Sequence, residues 1–313
     1  MRQIAGSGSR ALLYGAFAVL LVLLMGGMDV LLFTVKNPGP RPARHYYLAL
    51  GDSLAFGYQP DFNFSDGYPA QAFGALQKTG VTNLVNYACA GESTTTFIQG
   101  QCIARVAKHI EYTGPQLDAA ISFIAQHRGA VSPVTLELGS NDVLPDFDVT
   151  TCSAAPSSDA DLATLDTDLT QTILPRLQDA ITAAGGPATN SLLLLNYYNP
   201  FVKACPNSVA FAHLLNDHLA ADAAQLKVPL VDVYSAFGGD DHMADHICDW
   251  TWVCDAQFDH DVHPTTAGYG VIAQAVERAL GYPGAGPSLS PVQQNQPPIQ
   301  SNPPSAVLPR WSV

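Results

Sequence analysis

The sequence predicts an α/β fold in which a parallel sheet is covered by helices on both faces. Short apolar runs with the length of buried strands occur at 46–50, 84–87, 134–138, 192–196 and 228–233. Helical stretches alternate with them, near 67–78, 115–127, 161–184, 207–225 and 266–280. Alternating β and α units of this length imply a parallel sheet. In such sheets functional groups gather at the carboxyl ends of the strands.

Size and charge narrow the class further. The chain has 313 residues, 47% hydrophobic and 13% charged, which is enough apolar material for a full-sized core. Residues 46–280 are the expected globular part, and this length suits a single α/β domain. The formal net charge is −13, from 27 acidic and 14 basic residues, and there is no Lys/Arg stripe with interleaved aromatics. Such a surface repels a phosphate backbone, so we expect no nucleic-acid partner.

The first 36 residues are expected to be an N-terminal signal anchor or signal peptide. Residues 11–28 form an uninterrupted apolar run after Arg2 and Arg10. As a helix this run would span about 27 Å, close to the hydrocarbon thickness of a bilayer. A secretory apolar region is usually only about 7–15 residues long, and no clear A-x-A site follows here. An uncleaved anchor is therefore favoured, and a cleaved signal peptide stays open.

The two flanks of the expected domain have the composition of connecting or unstructured segments. Residues 37–45 (NPGPRPARH) form a proline-rich linker. Residues 281–313 are rich in Pro, Ser, Gln and Asn and have little apolar periodicity, so we expect a disordered tail.

Six cysteines point to disulfide bonds. None belongs to a C-x-x-C pair, so zinc-ribbon and thioredoxin-type sites are disfavoured. An even count on a chain with an export segment favours disulfides and an extracytoplasmic location. The pairing we expect is Cys89–Cys102, Cys152–Cys205 and Cys248–Cys254. Six free buried thiols in a cytosolic protein would be the alternative, and the N-terminus argues against it.

Four short motifs carry chemistry, three of them directly after predicted strands. They are Gly51-Asp52-Ser53-Leu54, the segment 86–93 around Gly91, Gly139-Ser140-Asn141-Asp142, and Asp261-Val262-His263-Pro264 before the last helix. Each has an ordinary explanation when taken alone, because Asp, Ser and Asn often cap helices and Gly often makes turns. All four in this order are much harder to explain as turn chemistry.

Together these motifs resemble the SGNH (GDSL) hydrolase family, over about residues 46–280. The family's four characteristic residues match Ser53, Gly91, Asn141 and His263. The resemblance implies a flavodoxin-like three-layer α/β/α sandwich with a five-stranded parallel sheet, the SGNH hydrolase fold. The segments GDSLAFGYQP and GEST, and AGY after the histidine, are similar to those of secreted bacterial GDSL lipases and esterases. The resemblance to this family also implies an ester hydrolase that needs no cofactor.

The residue types agree with that activity. A serine hydroxyl becomes a good nucleophile when an imidazole takes its proton, so Ser53 needs His263 as general base. Attack on an ester carbonyl creates an oxyanion. The expected oxyanion hole consists of the Ser53 N–H, the Gly91 N–H and the Asn141 side chain.

The group that orients His263 departs from the family pattern. The family has an aspartate three residues before the histidine, and this chain has His260 there. Asp261, Asp259 or a backbone carbonyl would take the role, and we prefer Asp261.

A neighbouring cluster contains residue types that bind metals: His242, Asp245, His246, Asp249, Asp259 and His260. His242 and His246 have the i, i+4 spacing of ligands on one helix face. There is no H-E-x-x-H motif, so a solvated loop is favoured and we expect no metal site. Trp250 and Trp252 lie between Cys248 and Cys254. They either line the substrate cleft or pack against the rest of the protein.

The substrate is left open as a small-molecule or lipid ester. A polysaccharide O-deacetylase would use the same four residues. The non-enzyme alternative is a membrane-tethered adhesion or scaffold domain with a decayed site, and the complete set of four residues argues against it. Acyl length, alcohol and oligomeric state do not follow from the sequence, and a membrane contact is expected only through an uncleaved N-terminal segment.

Overall fold

A five-stranded sheet organises the chain. The structure is a computed structural model that describes residues 45–100, 102, 108–186 and 191–282. The sheet order is β2-β1-β3-β6-β7 with every neighbouring pair parallel, and β4 and β5 form a separate antiparallel ribbon. The strands are β1 (Tyr46–Gly51), β2 (Asn83–Asn86), β3 (Val131–Glu137), β4 (Phe147–Asp148), β5 (Ser153–Ala154), β6 (Leu192–Leu195) and β7 (Leu230–Val231).

Helices cover both faces of this sheet. Tyr47, Leu48, Ala49 and Leu50 are all fully buried, and successive strand residues point to opposite faces. The helices are α1 (Ser53–Phe56), α2 (Tyr68–Leu76), α3 (Thr94–Gln99), α4 (Gln116–Gln126), α5 (Ser140–Val143), α6 (Ser158–Asp168), α7 (Leu174–Ala183), α8 (Ser208–Leu226), α9 (Val233–Ala236), α10 (Gly239–Trp250) and α11 (Thr266–Ala279). The strand order is that of a flavodoxin-like sheet. The predicted α/β fold is confirmed.

Strand bounds differ from the prediction where the backbone is irregular. Strand β3 starts at Val131 rather than 134 and includes Pro133, which has no N–H for the ladder. A register shift opposite Tyr46–Leu48 accommodates this residue. Strand β7 covers Leu230–Val231 rather than 228–233, because the Asp232 side chain caps α9.

The predicted helix at 161–184 is a longer helical run with a widened turn in its middle. Helix α6 passes through a π-helical segment, Leu169–Ile173, into α7. Pro175 is the second residue of α7 but lies inside the continuous helical run, where its ring and missing N–H conflict with a regular α-helix. The wider π turn relieves this conflict.

The prediction of a solvated loop around His242 and His246 is wrong. This segment is helix α10, Gly239–Trp250. Met243 and Ile247, four residues apart, are both buried, so the helix has an apolar face despite its many acids.

The structure contains the three expected disulfides, Cys89–Cys102, Cys152–Cys205 and Cys248–Cys254. The expected N-terminal segment, nearly all of the linker and nearly all of the tail lie outside the described residues. Within the described ranges, every helix is too short or too polar to cross a bilayer.

Candidate active site

Ser53 follows a tight turn at the end of β1. Gly51 has φ +131°, and a Cβ on it would lie 1.8 Å from the Glu137 carbonyl oxygen of β3, so only glycine fits there. The N–H of Asp52 donates to this same carbonyl at 3.0 Å. The Asp52 side chain then caps α1 by accepting the Leu54 N–H at 2.9 Å. This turn makes Ser53 the first residue of α1.

Ser53, His263 and Asp261 form a continuous hydrogen-bonded line. The Ser53 Oγ lies 2.8 Å from His263 Nε2, and Nδ1 lies 2.7 Å from Asp261 Oδ1. The same carboxylate oxygen accepts the His263 backbone N–H at 2.9 Å. Burial raises the pKa of Asp261, but the hydrogen bonds and charge of His263 outweigh it and leave that pKa below its ordinary value. An ionised Asp261 requires a proton on Nδ1, which leaves Nε2 free to accept from Ser53.

The sequence leaves three candidates for the group that orients His263. Of these, Asp261 is the one that lies against the imidazole ring in the structure. Asp259 is exposed, and its backbone is left-handed with φ 58°. His260 is also left-handed, and its Nδ1 lies 2.9 Å from the Val253 carbonyl oxygen. Among the described residues, no backbone carbonyl contacts His263 Nδ1.

The loop that carries His263 is braced by the segment after α10. The Trp252 N–H donates to the His263 carbonyl at 3.0 Å, and the Thr265 N–H donates to the Trp250 carbonyl at 2.9 Å. The Cys248–Cys254 disulfide closes this segment. Trp250 packs against the main core and meets the buried Phe237 with ring centroids 5.4 Å apart. The segment holds the histidine loop in place.

Asn141 lies between the loops that carry Ser53 and Gly91. Its Nδ2 donates to the Glu92 carbonyl at 3.0 Å and lies 3.4 Å from Asp52 Oδ2. Gly91 has φ +82°, which favours glycine. In the described part of the chain, no acceptor receives the backbone N–H of Ser53 or of Gly91. These two N–H groups are therefore available to a ligand.

Asp52 joins three strand ends beneath Ser53. Its Oδ2 accepts the Ser140 hydroxyl at 3.0 Å and the Tyr197 hydroxyl at 2.9 Å. Burial raises the pKa of Asp52 to about 6, although these hydrogen bonds and His263 act in the opposite direction. The sequence identified Asp52 only as a helix cap. Ser140 and Tyr197 follow predicted strands, and this position is the signal that could have indicated them.

Gln116 and Glu92 form a second buried connection that sequence reasoning missed. Gln116 Oε1 accepts the Gly51 N–H at 2.7 Å, while its Nε2 donates to the Gly51 carbonyl at 3.0 Å and to Glu92 Oε2 at 3.1 Å. Burial raises the pKa of Glu92 to about 7. Gln116 begins α4, far from Gly51 in the sequence, and no local pattern indicates this contact.

Asp142 anchors the helix that follows the Gly91 loop. Its carboxylate accepts the Thr94 hydroxyl at 2.6 Å and the Thr94 N–H at 3.0 Å. Burial raises the pKa of Asp142 to about 6. The start of α3 is thereby tied to the end of β3.

Glu137, the last residue of β3, has a fully buried side chain. Neither carboxyl oxygen has a hydrogen-bond partner among the described residues. Burial and the Asp52 carboxylate raise the pKa of Glu137 well above its ordinary value. Both causes favour the protonated form of this group.

The metal-type residues near α10 do not gather into one site. His242 and Asp245 are exposed and 3.4 Å apart, whereas His246 stacks on Trp250. Across the described ranges, the cluster of three residues with metal-binding side chains is Cys89, Glu92 and Cys102. The two sulfurs of this cluster are joined in a disulfide and offer no thiolate.

Comparisons with known proteins were made on sequence and on structure. Residues 49–271, more than half of the chain, match the GDSL-like lipase/acylhydrolase family. No curated protein matches the sequence significantly.

Similar solved structures include an acetylxylan esterase from Geobacillus stearothermophilus, with 18% identity over 77% of this chain and 97% of that one and a TM-score of 0.49. The extracellular lipase of Streptomyces rimosus has 20% identity, covers 75% of this chain and 99% of that one, and has a TM-score of 0.46. Phospholipase A1 of Streptomyces albidoflavus NA297 has 20% identity, covers 76% of this chain and 99% of that one, and has a TM-score of 0.46. On its family match, the chain is a member of the GDSL-like lipase/acylhydrolase family.

Proposed function

We propose that this chain hydrolyses carboxylic esters through an acyl-enzyme formed on Ser53. The observation that carries the proposal is the hydrogen-bonded line from Ser53 Oγ through His263 to Asp261, with distances of 2.8 and 2.7 Å. It occurs in a chain of a lipase/acylhydrolase family, which makes ester hydrolysis the reaction class.

Acylation begins when Ser53 Oγ attacks the ester carbonyl carbon and its proton moves to His263 Nε2. The resulting imidazolium is stabilised by the ionised Asp261, which itself stays unprotonated. Collapse of the tetrahedral intermediate breaks the bond to the alcohol oxygen, and His263 returns the proton to this leaving group. A water molecule then attacks the acyl-enzyme with the same histidine as base, which releases the acid and restores Ser53.

The oxyanion of each tetrahedral intermediate would accept hydrogen bonds from Ser53 N–H, Gly91 N–H and the Asn141 amide. One Asn141 N–H already donates to the Glu92 carbonyl at 3.0 Å, which fixes the orientation of the amide. The same nitrogen lies 3.4 Å from Asp52 Oδ2, a longer and weaker contact that the oxyanion would replace. A single donor of this kind typically contributes about 10²–10³ in rate.

We further propose that residues 46–280 work outside the cytoplasm, attached to the membrane if the segment 1–36 is not cleaved. Three disulfides support this location, because such bonds persist in oxidising compartments.

The test is hydrolysis of p-nitrophenyl esters by Ser53→Ala and His263→Ala. Each change should lower kcat/KM by at least about 10⁴-fold while the circular dichroism spectrum stays that of the wild type. Ser122→Ala, an exposed serine on α4, is the matched control and should keep full activity. Wild-type turnover by Ser53→Ala would remove the proposal.

A further inference from the structure

An apolar pocket opens beside Ser53, at the carboxyl ends of β3 and β6. It has a volume of about 550 Å³, its open mouth included. Leu54, Ser140 and Val262 line it, and they are the sequence neighbours of Ser53, Asn141 and His263. The pocket therefore lies next to the three loops that carry these residues.

The polar groups that reach this pocket are already satisfied within the protein. Asn216 exchanges two hydrogen bonds with the Tyr197 backbone, at 3.0 and 2.8 Å. Asn199 Nδ2 donates to Ser208 Oγ at 2.8 Å, and the Tyr198 hydroxyl donates to the Val262 carbonyl at 2.6 Å. With its polar groups paired in this way, the pocket suits hydrocarbon better than a sugar, whose hydroxyls would need free partners.

The outer side of the pocket is an aromatic wall made of Phe147, Phe201 and Phe211. Phe201 and Phe211 line the pocket, and Phe147 packs on both of them with ring centroids 5.3 and 4.9 Å away. Phe147 and Phe201 form a small cluster of their own with Cys205, separate from the main core. Phe211, on α8, also packs against the main core, so Phe147 and Phe201 are the part of the wall with little support from the rest of the hydrophobic interior.

The Cys152–Cys205 disulfide supplies the missing support. Phe147 belongs to the β4–β5 ribbon, which contains only two residue pairs and is too short to be stable alone. The disulfide joins Cys152, next to this ribbon, to Cys205 in the loop that carries Phe201. Loss of the bond would leave the wall free to move outward.

The direction of the reaction decides which part of an ester enters the pocket. The alcohol oxygen must face His263 Nε2 to receive its proton, and the carbonyl oxygen must face Asn141. Among the described residues that line the pocket, Val262 alone comes from the histidine loop; the others come from α1, from the segments that follow β3 and β6, and from α8. The remaining substituent, the acyl chain, is left to point into this space.

We propose that this pocket binds a medium-length fatty acyl chain and that the disulfide-held aromatic wall limits its length. The inference rests on the proposed acyl-enzyme at Ser53 and names its substrate class, esters of fatty acids rather than acetyl esters. Each methylene buried in the pocket should raise kcat/KM roughly fourfold, until the chain meets the wall.

The test compares Ala212→Phe with the wild type on p-nitrophenyl acetate, butyrate and octanoate. Ala212 lines the pocket from α8, so the larger side chain would fill it. Octanoate turnover should fall at least about tenfold, and acetate turnover should change less than about twofold. Ala221→Phe, an exposed position on the same helix, is the control and should leave the profile unchanged. Equal effects on acetate and octanoate, or no effect on either, would overturn the inference.

A second variant, Cys152→Ser/Cys205→Ser, tests the wall. We expect acetate hydrolysis to persist and the preference for octanoate over acetate to fall at least about threefold. An unchanged chain-length profile would overturn the role of the disulfide. If Ala212→Phe instead discriminates among alcohols in a series of acetate esters, the pocket holds the leaving group and the inference fails. A flat acyl profile with an inactive Ser53→Ala would refute this inference alone, whereas an active Ser53→Ala would refute the proposed function.

Discussion

Replacing Glu137 by glutamine should stabilise the protein at neutral pH and leave its stability unchanged in acid. The Glu137 carboxyl is fully buried at the end of β3, and both oxygens lack a partner in the described part of the structure. Burial and the nearby Asp52 carboxylate raise the pKa of Glu137 well above 4.5. Over a range of pH the folded protein thus keeps a proton that the unfolded chain releases.

The magnitude follows from proton linkage. Because the pKa of Glu137 is higher in the folded state, its contribution to stability is fully present below the unfolded pKa and is lost as pH rises. The loss is about 1.4 kcal/mol for each pH unit above about 4.5, until Glu137 ionises in the folded protein. Glutamine has nearly the same shape and does not ionise, so the variant escapes this loss.

The assay is urea unfolding of both proteins at several pH values between about 4 and 8. The difference in free energy of unfolding should be near zero at the acid end and should grow with pH in favour of glutamine. Glu111→Gln, at an exposed glutamate, is the control and should show no such trend. A difference that is the same at both ends of the range, or a wild type that is the more stable protein near pH 8, would refute the reasoning.

Three further predictions concern the site. Asn141→Ala should lower kcat by about 10²–10³-fold with little change in KM, because the Asn141 amide would donate to the oxyanion mainly in the transition state; a loss confined to KM in steady-state kinetics would contradict this. Asp261→Asn should lower kcat/KM by up to about 10⁴-fold, whereas Asp259→Asn should have little effect, and similar losses in the two variants would contradict the assignment. Thr94→Val should lower the free energy of unfolding by about 1–3 kcal/mol, because the Asp142 carboxylate loses its 2.6 Å partner; unchanged urea denaturation would show that the bond contributes nothing.

The positions of Ser53, Gly91 and Asn141 could be predicted because they depend on local patterns and one general rule. Each lies just after a short apolar run, and in a parallel sheet the carboxyl ends of neighbouring strands meet at one edge. The three residues follow β1, β2 and β3, which are adjacent in the sheet. The strand order thus brings segments distant in sequence to one place, while the chemical roles of these residues stay predictions.

The orienting group of His263 could not be settled from the sequence, because the answer depends on an unusual loop. Asp259 and His260 both have positive φ, a conformation that non-glycine residues seldom adopt. This double left-handed turn precedes Asp261, whose carboxylate then reaches the ring two residues later. The family's spacing of three residues points to His260 instead.

The sequence also contains no pattern that indicates contacts between distant elements. Gln116 bonds both backbone groups of Gly51 although 65 residues separate them. Helix α10 cannot be recognised easily from the sequence, because Met243 and Ile247 are its only buried residues and they lie among many charged ones. The β4–β5 ribbon is too short to produce an alternating pattern, so its place behind the pocket appears only in three dimensions.

Covalent labelling by a fluorophosphonate, followed by mass spectrometry of the digested protein, tests the central claim most directly. The claim is that Ser53 is a nucleophile activated by His263. We expect one adduct, on the peptide that contains Ser53, and a strongly reduced labelling rate in His263→Ala. A folded, esterase-active protein that carries the adduct on another residue, or that labels Ser53 equally fast without His263, would contradict the account.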